Sequence, residues 1–313
     1  MPFGLGELFS LGAAAAWAVG VILYRQLGAS LPPVTLNALK NGLVLLAVGA
    51  LTLAVHGLAW PPMPWPQVLV ALASGFLGIA VADTLYFRAL NALGAARMGI
   101  VGNAYSPFVL ALGLVFLGER LGMLQWLGFV LVSAGVLVIG LPRRRGAADA
   151  VDASVVADGP PLAPPTPPAA APGAVPVLLG IAAVGLMAAA IVMVKPVLEA
   201  QPLLWVTWLR LIGGVGGLVL VLFATGRGHL LRPTRPVPWR RLAVAALVGQ
   251  CLSMLLWLGG YKYAQASVAA VLNESSSVFI LLLAAVWLRE RLTPAALVGI
   301  ALTCAGVAFM LIG

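Results

Sequence analysis

The sequence predicts an all-α integral membrane protein of ten transmembrane helices, arranged as two inverted five-helix repeats. Three observations predict it. Hydrophobic residues fill 62% of the 313 positions and charged residues only 9%, whereas soluble domains carry about 25% charged residues. So few charges cannot cover a water-exposed surface, and most of it must face lipid. Ten apolar runs approach the roughly 20 residues a helix needs to cross a bilayer. The second half of the chain also repeats the first.

The first run, Glu7–Gln26, has no basic segment ahead of it and reads as a membrane helix, not a cleaved leader. Leu31-Pro32-Pro33 separates it from Val34–His56, and Pro61-Pro62-Met63-Pro64 separates that run from Val68–Arg88; prolines end helices because they lack the N–H donor. Arg97–Leu117 and Leu124–Leu141 flank Gly118-Glu119-Arg120-Leu121. Residues 142–176 open on Arg143-Arg144-Arg145 and run into a Pro/Ala-rich tract. Such a composition buries too little apolar surface to offset its ordering entropy, so a disordered linker is expected there. Five more runs follow: Val177–Pro196, Leu204–Thr225, Leu242–Lys262, Val268–Leu288 and Ala295–Ile312. The domains expected are therefore 1–141, the linker 142–176, and 177–313.

A shift of 171 residues aligns Phe108–Val136 with Phe279–Val307 at 13 identities in 29 positions without a gap, Glu119/Glu290 and Arg120/Arg291 among them. A shift of 170 pairs Arg25 with Lys195, Pro32 with Pro202 and Lys40 with Arg210. Five helices is an odd number, so the second copy enters the membrane from the opposite side. Such an inverted repeat is a recurring basis of alternating access, with substrate held near the midplane.

The net charge of +9 does not point to nucleic acid, because the basic residues sit between the apolar runs and set topology. The odd-numbered connections hold 13 Lys/Arg and the even-numbered ones 3. The positive-inside rule then places the linker in the cytoplasm and both termini outside, in a plasma membrane of bacterial inner-membrane type. Cys251 and Cys304 lie inside apolar runs, and His56 and His229 are the only histidines; no metal set or cofactor is implied.

Each half carries a hydrophobic helix, then Gly118-Glu119-Arg120-Leu121 or Arg289-Glu290-Arg291-Leu292, then a helix with Gly128 and Gly135 or Gly299 and Gly306. Trp17, and the basic residue early in the second helix of each half, Lys40 or Arg210, complete the pattern. It resembles the EamA domain of the drug/metabolite transporter superfamily. The second half departs from the pattern at Arg289 and at Met187, which stands where Trp17 would repeat. The resemblance implies ten helices, a central cavity, and export or exchange of small metabolites, in a family that spans amino acids, sugars, nucleotide derivatives and drugs.

Charges at membrane depth usually face a cavity or a partner. Asp83, with Thr84 and Tyr86 close by, reads as a proton carrier or a counter-ion for a substrate amine, or as a structural partner of Lys40. Glu274 stands in Asn273-Glu274-Ser275-Ser276-Ser277 and aligns with Asn103 in Gly102-Asn103-Ala104-Tyr105-Ser106-Pro107. Matched polar breaks in the two halves point to a binding site, although Ser and Asn also serve as interhelical contacts. Asn103, Tyr105, Glu274 and Ser277 are expected to meet near the midplane, with Trp257 or Tyr261 on the wall. Lys40 shares a helix face with Asn37 and Asn41. It and Arg210 could hold a substrate carboxylate or phosphate, or snorkel to headgroups. Gln250, Met254, Trp257 and Tyr261 form one face of the eighth helix, suited to an apolar or aromatic group or to packing. Glu119, Arg120, Glu290 and Arg291 are expected to cap the turn into the helix that follows each.

These features describe a secondary transporter of a small organic solute. No Gly-rich Lys-Ser/Thr phosphate loop is present, so ATP is not the direct energy source. Proton coupling would have to run through Asp83 or Glu274. The rival class, a membrane-embedded enzyme acting on a lipid-linked substrate, needs several acids or histidines in one layer, whereas these two acids stand in different halves.

Overall fold

The computed structural model describes residues 4–28, 33–57, 61–93, 98, 101–140, 174–231, 233, 236–287 and 294–313. Among them all regular structure is helical. Most of the expected linker, together with Arg289, Glu290 and Arg291, lies outside the described residues.

Helices α1 (Leu5–Gly28) and α2 (Pro33–His56) occupy the first two apolar runs. The third run is α3 (Trp65–Gly75), a π-helical stretch over Phe76–Ala82 and α4 (Asp83–Leu93). In the fourth run, helix at Val101 and Gly102 gives way to a turn at Asn103 and Ala104 before α5 (Tyr105–Phe116); α6 (Met123–Gly140) completes the half. The second half opens with α7 (Ala174–Ala200), whose first turn takes in the last three residues of the expected linker, and continues with α8 (Leu203–Ala224). Then come α9 (Trp239–Val244), a π-helical stretch over Ala245–Leu252 and α10 (Ser253–Tyr263). The ninth run splits into α11 (Ala266–Asn273) and α12 (Ser276–Trp287), and α13 (Pro294–Ile312) ends the chain.

Seven helices among the described residues are long and apolar enough to cross a membrane, and Leu5–Val21, Tyr105–Phe116 and Met123–Ile139 form shorter apolar helices. Leu46, Val115, Phe116, Leu220 and Val286 are between 64% and 81% exposed. Apolar surface of this kind on so many helices is placed by lipid, and the chain is an integral membrane protein.

The two halves break their helices at equivalent places. The π-helical stretch Phe76–Ala82 corresponds, at a shift of 170, to residues 246–252 of the second π-helical stretch. The turn at Asn103 and Ala104 corresponds, at 171, to the turn at Glu274 and Ser275. Local chemistry explains the second pair. Pro107 has no N–H to donate in the first turn of α5, the position that tolerates proline. In the other half, Asn273 Nδ2 donates to the Ala269 carbonyl at 2.7 Å and Ser275 Oγ to that of Leu272 at 2.6 Å. Glu274 N and Ser275 N bond three residues back, to Val271 and Leu272. Side chains that bond nearby backbone compete with the regular helix.

Packing between the halves is reciprocal. A Cβ on Gly128 would lie 2.7 Å from the Gly306 carbonyl oxygen, and one on Gly306 2.7 Å from that of Gly128. The pair Gly135 and Gly299 meets in the same way, at 2.7 and 2.8 Å. In the repeat, Gly128 corresponds to Gly299 and Gly135 to Gly306, so each contact is the image of the other. A self-complementary contact of this kind is what a two-fold relation produces. Elsewhere Gly20 of α1 closes on Gly249 of the second π-helical stretch, while Gly78 of the first approaches Ala190 of α7.

Candidate functional site

A cavity of about 120 Å³ opens between the halves, enclosed by α1, α5, α7, α8, α10, α11, α12 and the two π-helical stretches. Its lining contains repeat-related pairs: Ala14 with Val184, Trp17 with Met187, Gly102 with Asn273, Asn103 with Glu274, and Tyr105 with Ser276. The cavity is therefore centred on the relation between the halves. The wall is mostly apolar, with polar groups at a few points, the usual character of a small-molecule site.

The helix breaks supply its polar floor. The turns at Asn103–Ala104 and Glu274–Ser275 bring Asn103, Asn273 and Glu274 to the wall, with Ser106 beside the Glu274 carboxyl. Ser106 and Ser277 are repeat partners and both are buried; the Ser277 hydroxyl has no hydrogen-bond partner among the described residues. Tyr105 lines the cavity, and its hydroxyl lies 3.1 Å from that of Tyr261.

One long wall comes from the eighth run. Gln250, Ser253, Met254 and Trp257 all face the cavity. The Arg210 guanidinium, buried in α8, also lines it and lies over the Trp257 ring, 5.6 Å from the centroid, a cation–π arrangement. Trp257 packs edge-on against Tyr261 with centroids 5.1 Å apart.

The two basic residues of the repeat are used differently. Lys40 is 2% exposed and lies outside the lining. Its Nζ donates to Gln250 Oε1 at 3.1 Å and sits 5.7 Å from the centre of the Trp17 ring. On the same helix face, Asn41 Nδ2 donates to Asn37 Oδ1 at 3.1 Å. The helix face expected for Lys40, Asn37 and Asn41 is thus present, buried rather than turned to headgroups.

Of the residues singled out from sequence, Asn103, Tyr105, Arg210, Trp257, Asn273 and Glu274 line the cavity. Tyr261 stands behind Tyr105, and Ser277 lies one residue beyond the lining residue Ser276. Asp83 and Tyr86 are buried in α4 and are not on the lining; Tyr86 packs among Ala89, Met98, Ala183 and the lining residue Val184. The repeat partner of Asp83 is Ser253, which does line it. Sequence reasoning missed Gly78, Ile79 and Met187 as wall residues. Gly78 and Ile79 reach the wall from a π-helical stretch, which regular periodicity does not reveal.

Glu119 departs from the expected cap. Its carboxylate accepts from Ala266 N at 2.5 Å, Ser267 N at 2.9 Å and Ser267 Oγ at 2.6 Å. It therefore caps α11 of the other half, not the helix that follows it. The free N–H groups of a helix start attract an acid whatever its position in the chain. Nearby, Lys195 donates to Glu199 at 2.6 Å and to the carbonyls of Tyr261 and Ala264 at 2.9 and 2.7 Å. Lys262 donates back to the carbonyls of Leu198, Glu199 and Gln201. The C-terminal ends of α7 and α10 thus cap one another.

Comparison with known proteins agrees with this architecture. A solved crystal structure superposes with a TM-score of 0.73 over 97% of this chain and 96% of its own, at 19% identity, and shares the fold. An uncharacterized transporter from the cobO 3' region of a Sinorhizobium species is 29% identical over 129 residues, 41% of this chain and 92% of that protein. The threonine/homoserine exporter RhtA of Escherichia coli strain K12 is 28% identical over 142 residues, and the uncharacterized transporter YwfM of Bacillus subtilis strain 168 is 28% identical over 155. These two matches span 46% and 50% of the relatives' lengths. The EamA-like transporter family model matches twice, over residues 4–141 and 174–312. With both halves matched and nearly the whole chain covered, this protein belongs to the EamA-like transporter family, within the drug/metabolite transporter superfamily.

Proposed function

We propose that the protein is a secondary transporter that exports small organic metabolites, amino acids or related compounds, by alternating access through the cavity between its halves. The observation that carries this reading is the set of repeat-related residues around one cavity, with an acid, Glu274, and a base, Arg210, both on its wall. A solute with an amine and a carboxylate suits that pair. Ten spans in two inverted halves would let the halves exchange roles as the cavity opens to one side and then the other. The basic connections support a cytoplasmic linker on this reading, in an inner membrane. The relative that exports threonine and homoserine supports the amino-acid class.

The test is counterflow in proteoliposomes. Vesicles loaded with one unlabelled amino acid at a time should take up the same labelled compound, and Arg210→Ala should abolish uptake. Absence of protein-dependent exchange across amino acids, sugars and nucleotide derivatives would sink the reading.

A further inference from the structure

We propose that Gln250 and Arg210 form a cradle for a substrate carboxylate, and that Lys40 is a positioning residue that aims the Gln250 amide into the cavity. This deepens the transporter reading above and rests on it.

The argument starts at Lys40. Its ammonium has three donors and no acceptor, and it lies 3.1 Å from Gln250 Oε1 while 2% exposed. The atom facing it must be the amide oxygen, which fixes the orientation of the whole carboxamide. The NH₂ end is therefore turned away from Lys40. Gln250 is itself 5% exposed and lines the cavity, and among the described residues its one hydrogen bond is the one from Lys40. The two amide N–H groups on the cavity side are therefore available to a ligand oxygen.

Arg210 supplies the second arm. Its guanidinium lines the same cavity over the Trp257 ring, and Trp257 stands on the same wall as Gln250. A planar fork of N–H groups suits a carboxylate. The repeat partner of Gln250 is Ala80, so the cradle is one-sided: Arg210 acts directly and its partner Lys40 acts through Gln250. Glu274 on the wall disfavours a doubly charged phosphate and leaves a place for an amine. The ligand is then a monocarboxylate, best an amino acid.

The test uses the purified full-length protein in detergent and its heat-unfolding midpoint, because a ligand that binds only the folded state raises it. The probes are L-leucine, isovalerate, L-leucinamide, which has an amide in place of the carboxylate, and methyl phosphate. L-Leucine and isovalerate should protect, and L-leucinamide should bind at least about tenfold more weakly, as expected at a site that reads the missing group. Gln250→Glu keeps a partner for Lys40 but replaces the donors with an acid. It should lose protection by both carboxylates and keep that by L-leucinamide. Lys40→Met should weaken L-leucine about fivefold or more, the order of coupling between linked groups, and Lys40→Arg should restore it. The proposal is overturned if the wild type is protected equally by L-leucine and L-leucinamide, by neither carboxylate, or only by methyl phosphate. It is also overturned if Gln250→Glu keeps wild-type protection by L-leucine, or if Lys40→Arg behaves as Lys40→Met. Failure of the transporter reading is seen separately, as loss of counterflow for the whole metabolite panel.

Discussion

Glu119 shows how a single side chain joins the halves. Its carboxylate serves two backbone N–H groups and one hydroxyl at the start of α11. Removing a helix cap costs about 0.5–2 kcal/mol, so Glu119→Ala should lower the heat-unfolding midpoint in detergent, and Glu119→Gln should lower it less because one acceptor oxygen survives. Equal midpoints for all three proteins would show that the cap is replaced by water. The acid was legible in the sequence as a helix-junction residue. Its partner was not, because sequence order gives no information on which helix start lies within reach. The same limit applied to Lys40 and Arg210. Their equivalence was plain from the repeat, but that one lines the cavity and the other stands behind Gln250 depends on packing. Arg210 carries a second prediction. Its planar group lies over Trp257, and a lysine cannot reproduce either the stack or the fork. Arg210→Lys should raise the KM for the transported solute by about tenfold or more, since the loss is of the order of one bidentate or cation–π contact. A KM within twofold of the wild type would remove Arg210 from the binding site.

Helix contacts at α8 show which glycines the packing requires. A Cβ on Gly75 would overlap the Arg210 carbonyl, and one on Gly213 would overlap that of Leu72, whereas Gly216 has nothing within 4 Å. Helices in a membrane gain association from close backbone approach at small residues. Gly213→Val should therefore separate α3 from α8 and cost about 1–3 kcal/mol, the usual range for overpacking. Gly216→Ala, in the same helix, should leave the unfolding midpoint unchanged. The Gly75 contact touches the backbone of the residue that bears the cavity's guanidinium, so Gly75→Ala should reduce transport more than it reduces stability; counterflow and unfolding measured on the same preparation separate the two. At this scale the sequence was informative about the interrupted fourth and ninth helices, because Pro107 and the Asn273–Ser277 run advertise a break. It was silent about the π-helical stretches. Phe76–Ala82 and Ala245–Leu252 hold no proline and no run of polar residues to mark the change of winding.

The molecule as a whole is two copies of one unit that have diverged on opposite sides of a shared cavity. The duplication was readable because Glu119/Glu290 and Arg120/Arg291 keep charge at matched positions, and the matched breaks made the cavity's location readable as well. Divergence is what the repeat conceals. Asn103 faces the cavity in one half and Glu274 in the other; Asp83 is buried and not on the lining, while its partner Ser253 is. If transport is coupled to protons, this asymmetry favours Glu274 over Asp83 as the carrier. Coupling requires that the proton and the solute influence each other's binding, and that is direct only for an acid on the wall. Glu274→Gln keeps the shape of the side chain and removes its charge, so exchange of solute should persist while accumulation driven by a pH gradient is lost. Asp83→Asn, by the same argument, should still concentrate solute under the gradient. The measurement is uptake into proteoliposomes with and without an imposed pH difference, for the wild type and both variants. Gradient-driven accumulation that survives in Glu274→Gln and disappears in Asp83→Asn would move the proton site to α4. A wild type indifferent to the gradient would make the protein a facilitator, with Glu274 serving only the solute's amine.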